Sequence, residues 1–358
     1  MPIAIARISL GMGAPAIPKA LRAPNQLSPG TLTQLHHSSL LSPPLLTPPP
    51  ALMTSSDPTP LMARKRAVMS QASLCEKLGT LKDLPGYWEG TGFSLIARPH
   101  FGPEAKNGFF LQLNMLRETV EFTTIGSPVF NRGSLQEDMA IYGVTYMHRV
   151  TDAGSGGALH IEPGMFLNIP ATTAPSADAS IARLGTIPHG NAFCTVGFAQ
   201  EAEYDRIPGI PPANTVPFPI GGAPPEPGSA NPFEEYNLSI PSAVRTGSLP
   251  AEITQVLVND PNQLLRDTLQ TQVEQEGKTL NWITRLITRT ADDKSIGNIP
   301  FITANANTLD FESVWAIESV TDACGDEYLQ LQYSQTALIN FRGMSYPHVA
   351  VGTLVKAF

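Results

Sequence analysis

The sequence predicts an all-β fold, with about ten antiparallel strands closed as an up-and-down barrel. Three observations carry this expectation. Segments in which apolar and polar side chains alternate with the period of a strand recur along most of the chain after residue 84. They follow one another in hairpin-like order. The composition, with 34 prolines, 29 glycines and 15% charged residues in 358, suits turns and loops rather than a helix bundle. Closing such a sheet removes its edges, and a barrel of this size has a lumen able to hold one small ligand.

Taken in order, residues 1–68 stand apart. They have no acidic residue before Asp57, are rich in leucine, serine and proline, and carry the basic run Arg64, Lys65 and Arg66. Such a segment reads as a disordered tail or a targeting segment, with Met62 or Met69 as alternative starts. The folded domain is expected at 69–358. It opens with a short helix from Met69 to Leu84, where Leu74, Leu78 and Leu81 share one face and Pro85–Gly86 ends the turn. The first strand places Trp88, Gly90 and Gly92 on one face, which points to strong curvature or a close approach by a ligand. Strands follow at Phe109–Thr124, Ile141–Val150 and Leu159–Ile169, the last with a bulge at Gly164. Ile181–Ile187 and Ala192–Ala202 are joined by Pro188, His189, Gly190 and Asn191.

Residues 205–278 read as an insertion within the barrel. Eleven prolines between Pro208 and Pro250 leave no periodicity, and a loop this long is expected to cover an opening. A helix then starts with Asp260 as N-cap and Pro261 at its first position, carries Leu265, Leu269 and Val273 as its apolar stripe, and stops at Gly277. Three strands come next, Leu280–Arg289, Phe311–Val320 and Tyr328–Asn340. The final strand is expected to begin at Pro347. Val349, Val351, Thr353 and Val355 form one face; His348, Ala350 and Gly352 form the other, an imidazole beside two of the smallest side chains.

That face leaves a slot for a flat, bulky ligand, with His348 pointing at it. A neutral imidazole suits iron; the plainer reading is a histidine satisfied within a core. His189 is a candidate distal acid/base or second ligand, or an exposed turn residue. His160 and Glu162 share a strand face and read either as a proton relay or as the solvated outside. Arg183 can pair with a ligand carboxylate, as its planar fork matches one, or lie on the surface. Asp292 and Asp293 look like turn residues. A net charge of −8 without a basic block in the folded part argues against nucleic acid, and no apolar run is long enough for a membrane span. Cys75, Cys194 and Cys324 show no metal spacing and suit a reducing, cytoplasmic setting, with organellar targeting by residues 1–68 as the alternative.

Gly86, Trp88, Gly90 and Gly92 after a short helix, Glu118 to Phe122, the set Leu159, His160, Glu162 and Gly164, and the closing run Gln332 to Lys356 together resemble the nitrobindin family. The resemblance covers roughly residues 84–202 and 311–358. It implies a ten-stranded barrel like those of fatty-acid-binding proteins and lipocalins, with haem b held by a histidine of the final strand, the position of His348. Trp88, Arg183, Ala350 and Gly352 are then expected around the cofactor. The insertion has no counterpart in compact members, though larger barrels described as haem-binding or peroxidase-like are similar. The implied activity is on NO, peroxynitrite or peroxide, as a haem-dependent peroxidase or peroxynitrite isomerase. The alternative is a haem-free carrier or enzyme for a small apolar, fatty-acid-like ligand in the lumen.

Overall fold

The computed structural model describes residues 70–187, 190–206, 209–247, 249–290 and 296–357. The expectations for residues 1–68, His189, Asp292 and Asp293 lie outside the described residues. Ten long strands form the barrel: β1 Gly86–Pro99, β2 Phe109–Thr124, β3 Met139–Asp152, β4 Ala158–Ile169, β5 Ser180–Ile187, β6 Asn191–Glu203, β7 Thr279–Arg289, β8 Asn307–Thr321, β9 Glu327–Phe341 and β10 Met344–Ala357. Each pairs antiparallel with its neighbours in sequence, and β10 pairs with β1 to close the ring. The all-β, up-and-down barrel expected from the alternation is therefore the fold.

Two local expectations need correcting. β10 begins at Met344, not at Pro347. Arg342 and Gly343 both have positive φ (49° and 78°), and Phe341 pairs with Met344 across them. This is the two-residue turn whose twist matches a hairpin, so the ladder starts immediately. Gly164 is not a bulge: it pairs in register with Tyr146 and Gly185, and the break in the β3–β4 ladder falls between Val150 and Thr151.

Helix α1, Gln71–Leu78, is capped by the Ser70 hydroxyl, which accepts from the Ser73 N–H. Leu74, Leu78, Leu81 and Leu84 bury against Trp88, Phe122 and Phe166 inside the barrel. This closes one end of the lumen with apolar side chains. At the opposite end, inward-facing Ile96, Gln112, His160, Gln335, His348 and Ala350 are each half-buried, so solvent enters there.

The insertion does not lie over that opening. Ile210, Ala213, Tyr236, Ile253, Leu257, Val258 and Leu265 pack instead against the outer faces of β1, β2 and β10, on Phe93, Leu95, Ala97, Phe109, Leu111, Leu113, Val349 and Val351. The outer faces of these three strands are apolar because the insertion covers them, while their lumen faces also carry Gln112, Asn114, Glu118 and His348. Two short helices stand in this layer, α2 Gln255–Asn259 and α3 Gln263–Glu274; a third, α4 Pro300–Asn305, precedes β8. α3 starts later than expected, after Asn262. Asp260 is not its cap; its carboxylate accepts from Arg266 and from the Ala213 and Asn262 N–H groups. The inner face of α3 is also less apolar than expected. Leu265 is buried, but Val273 is exposed, and buried Gln272 exchanges hydrogen bonds with Gln330 of β9.

Candidate functional site

Strand alternation and register place one set of side chains in the lumen. Cross-strand partners share a face, so the pairs Glu162–His148, Phe166–Arg183, Trp315–Tyr333, Tyr333–Gly352, Gln335–Ala350 and Ala337–His348 all point inward. Between the apolar floor and the open end lies a belt of buried polar groups built on two carboxylates.

The first centre is Glu162. Its Oε1 accepts from Arg183 Nη2 at 2.7 Å and from the Tyr146 hydroxyl, and its Oε2 faces His160 Nε2 at 3.3 Å. Arg183 spends its remaining donors on Tyr146, Ser313 and Gln335. Its guanidinium carbon also lies 4.8 Å from the centre of the Trp315 ring and 5.2 Å from that of Phe193. Burial alone would raise the Glu162 carboxyl; Arg183 first, then His160, outweigh it and hold it well below the usual carboxylate range. Burial likewise works against the Arg183 charge, and Glu162 restores it.

The second centre is Glu118. Its Oε2 accepts from the Tyr333 hydroxyl at 2.5 Å and faces His148 Nε2 at 2.7 Å. Glu118 Oε1, His148 Nδ1 and Trp315 Nε1 are buried and have no hydrogen-bond partner among the described residues. The rings of His148, Tyr333 and Trp315 touch, with Trp315 stacked on Tyr333 at 5.0 Å and 20°. Burial, then the neighbouring Glu118 carboxylate, push the Tyr333 phenol well above its ordinary value.

Glycine pairs make room for both centres. Gly92 and Gly352 face each other across β1 and β10, and a Cβ on either would meet Glu118 Oε1, at 2.2 and 2.7 Å. Gly164 and Gly185 face each other across β4 and β5; a Cβ there would meet the Tyr146 ring and the Phe193 ring. The close approach expected at the first-strand glycines is thus made, at Gly92, by a side chain of the chain itself.

The expected site residues are only partly brought together. His348 faces inward at the open end, with its Nε2 2.7 Å from the Ala97 carbonyl oxygen. Burial, outweighing that carbonyl, depresses the imidazole to about 4, so it is neutral at pH 7. Ala350 is beside it, and Gln335, opposite Ala350, leads to Arg183. Gly352 is not an open shelf, because the Tyr333 ring is 2.6 Å from where its Cβ would stand. Trp88 is at the closed end. It pairs with Lys356, eight residues and ~26 Å along β10 from His348, and its indole N–H donates to the Leu84 carbonyl. Arg183 is buried, not on the surface, and its carboxylate partner is Glu162. His160 and Glu162 face the lumen rather than the solvated outside. His148 and Tyr333 were not anticipated. The signal was there: His148 lies two residues from Tyr146 and from Val150, on the inward face of a strand whose alternation is clear.

For haem, the donor chemistry fits. His348 is neutral, and a carbonyl fixes it through one nitrogen, the arrangement that orients ligating histidines. The place does not fit as first expected: Gly352 and Trp88 drop out, and the half-buried surface around His348, Ala350 and Gln335 remains. Among the described residues, no group of three histidine, cysteine, aspartate or glutamate side chains is placed to hold a metal ion by itself, and no helix is long and apolar enough to cross a membrane.

These features define a ten-stranded antiparallel barrel with one apolar end, a polar belt and one open end. No family model matches the chain, and no curated protein sequence matches it. Among solved structures, the crystal structure of Rv2717c from M. tuberculosis is similar over 78% of this chain and 99% of that one, at 15% identity and a TM-score of 0.37. A likeness of that size carries no argument about function.

Proposed function

We propose that the open end of the barrel binds haem with His348 as its axial ligand. The observation that supports this reading is His348 itself: an inward, neutral imidazole on a rigid strand, anchored through one ring nitrogen by the Ala97 carbonyl. Bound there, haem would supply an iron able to take a small ligand such as NO, peroxynitrite or peroxide. The chain's own contribution is to hold the imidazole, to keep it unprotonated, and to limit water with Ile96, Ala337 and Ala350 around it. The fatty-acid carrier reading is the weaker one. Arg183, a fully buried cation of the lumen, is already committed to Glu162 and enclosed by aromatic rings, so it offers no partner to a ligand carboxylate.

Titration of the full chain with haemin tests this. One equivalent should bind and give a Soret band and a histidine-ligated resonance Raman spectrum. His348→Ala should lose that ligation while far-UV circular dichroism stays unchanged. Absence of specific uptake, or an unaltered spectrum in His348→Ala, would overturn the reading.

A further inference from the structure

Tyr333 and Glu118 form a pair with a use that haem ligation does not require. We propose that Tyr333 is a redox-active tyrosine, giving one electron to an outer-sphere one-electron oxidant, an inorganic radical or a metal complex, at the open end while its phenolic proton passes to Glu118. The step balances. The phenol O–H bond breaks, the proton forms a new O–H bond on Glu118 Oε2, and the oxidant gains one electron. What remains is a neutral tyrosyl radical beside a protonated carboxyl. Reduction of the radical by one electron returns the proton and restores the pair.

Four observations carry this. The acceptor is in place, since the Tyr333 hydroxyl donates to Glu118 Oε2 at 2.5 Å. The acceptor has capacity: Glu118 Oε1 has no partner, and among the described residues no lysine or arginine bonds either oxygen, so taking a proton breaks no pairing with a permanent cation. The site is dry. Tyr333 and Trp315 are fully buried and Glu118 is 2% exposed, which protects a radical from water and from a second protein molecule. Finally, the site is within reach of the opening: Gln335, half-buried there, is two residues along the same face, ~7 Å away.

The two oxidisable aromatic groups nearest Tyr333, Tyr146 and Trp315, are disfavoured by one cation. Arg183 Nε donates to the Tyr146 oxygen at 3.1 Å, and the guanidinium stands over the Trp315 ring. A positive charge there opposes removal of an electron from either ring. The carboxylate that would take the Tyr146 proton, Glu162, is already bound to Arg183. An electron vacancy entering this cluster should therefore settle on Tyr333. The proton's destination follows from the hydrogen bond: a phenol that has lost an electron is a strong acid, and Glu118 Oε2 is the acceptor its O–H already points at.

The test needs no cofactor. The full chain is oxidised by photogenerated ruthenium(III) tris-bipyridine, a one-electron oxidant, and frozen for electron paramagnetic resonance. A neutral tyrosyl radical is expected, with a long-lived component from the buried site and a short-lived one from exposed tyrosines such as Tyr87. Tyr333→Phe should abolish the long-lived component, and Tyr146→Phe should leave it. Glu118→Gln, which keeps the tyrosine but removes the proton acceptor, should also lose it; this variant decides the matter should Tyr333→Phe fail to fold by circular dichroism. A long-lived signal that survives Tyr333→Phe, that disappears in Tyr146→Phe, or that is unchanged in Glu118→Gln would overturn the proposal.

Discussion

Two of the carboxylates in the lumen look alike in surroundings and differ in what balances them. Glu162 and Glu118 both accept a tyrosine hydroxyl, both face a histidine, and both are buried next to a glycine pair. Glu162 is closed by a permanent cation, Arg183, whose donors reach four different side chains. Glu118 is held by groups that carry protons, Tyr333 and His148, and leaves three polar atoms nearby unpaired. The first arrangement ties β3, β4, β5, β8 and β9 together. The second is less satisfied and costs stability, yet it is the one through which a proton can move.

Breaking the first centre should have the largest effect. Arg183→Met strands a buried carboxylate and is expected to cost about 3–5 kcal/mol in denaturant unfolding. The double variant Arg183→Met/Glu162→Gln should recover much of that loss, since the penalty is the unpaired charge rather than the missing contact. A somewhat smaller loss, about 1–3 kcal/mol, is expected from Gly352→Ala. The new methyl would have to displace the Tyr333 ring and Glu118 Oε1, both side chains, rather than backbone. Equal stability of that variant and wild type would mean that the second centre is looser than its geometry implies.

Acid separates the contributions further. His348 titrates at about 4 in the folded chain against an ordinary value of 6.5, so the unfolded chain binds more protons between those values. Stability should therefore fall as pH drops from 6.5 to 4, and His348→Ala should flatten that limb. Glu162, depressed by Arg183, contributes stability that is present above the ordinary glutamate value and lost as pH falls below it. The lower limb should persist in His348→Ala. A smaller effect of opposite sign is expected on the outer wall. Burial pushes Glu318, beneath α3, up to about 7, against which Gln330 and Arg285 act only in part. Its folded form keeps a proton that the unfolded chain releases, so stability should fall as pH rises from 4.5 to 7. Glu318→Gln should then gain on the order of 1 kcal/mol at pH 8 in thermal unfolding.

Much of this molecule was legible in the sequence. Period-two alternation located all ten strands and their order, and it put His348, Ala350 and Gly352 on one face. The leucines of α1 announced a buried helix. What alternation could not give was which inward residues meet. Glu118, His148 and Tyr333 come from three strands, with Tyr333 215 residues from Glu118. Their meeting depends on register around a closed ring, which no local pattern encodes. For the same reason the small residues of β10 looked like a slot for a ligand, when Gly352 seats a side chain from β9. The outward apolar residues of β1, β2 and β10 did carry a signal. Apolar residues on the outward face of a barrel strand require a second covering layer, and the proline-rich insertion supplies it on the wall rather than over the opening.

The difference between the two carboxylates is tested most directly by the same substitution at each. Glu162→Gln and Glu118→Gln are compared by urea unfolding at pH 7. Glu162→Gln leaves Arg183 as an uncompensated buried cation and should lose about 3–5 kcal/mol. Glu118→Gln keeps a neutral acceptor for Tyr333 and strands no charge from a permanent cation, so its loss should stay near 1–2 kcal/mol. A Glu118→Gln loss equal to or larger than that of Glu162→Gln would contradict the account.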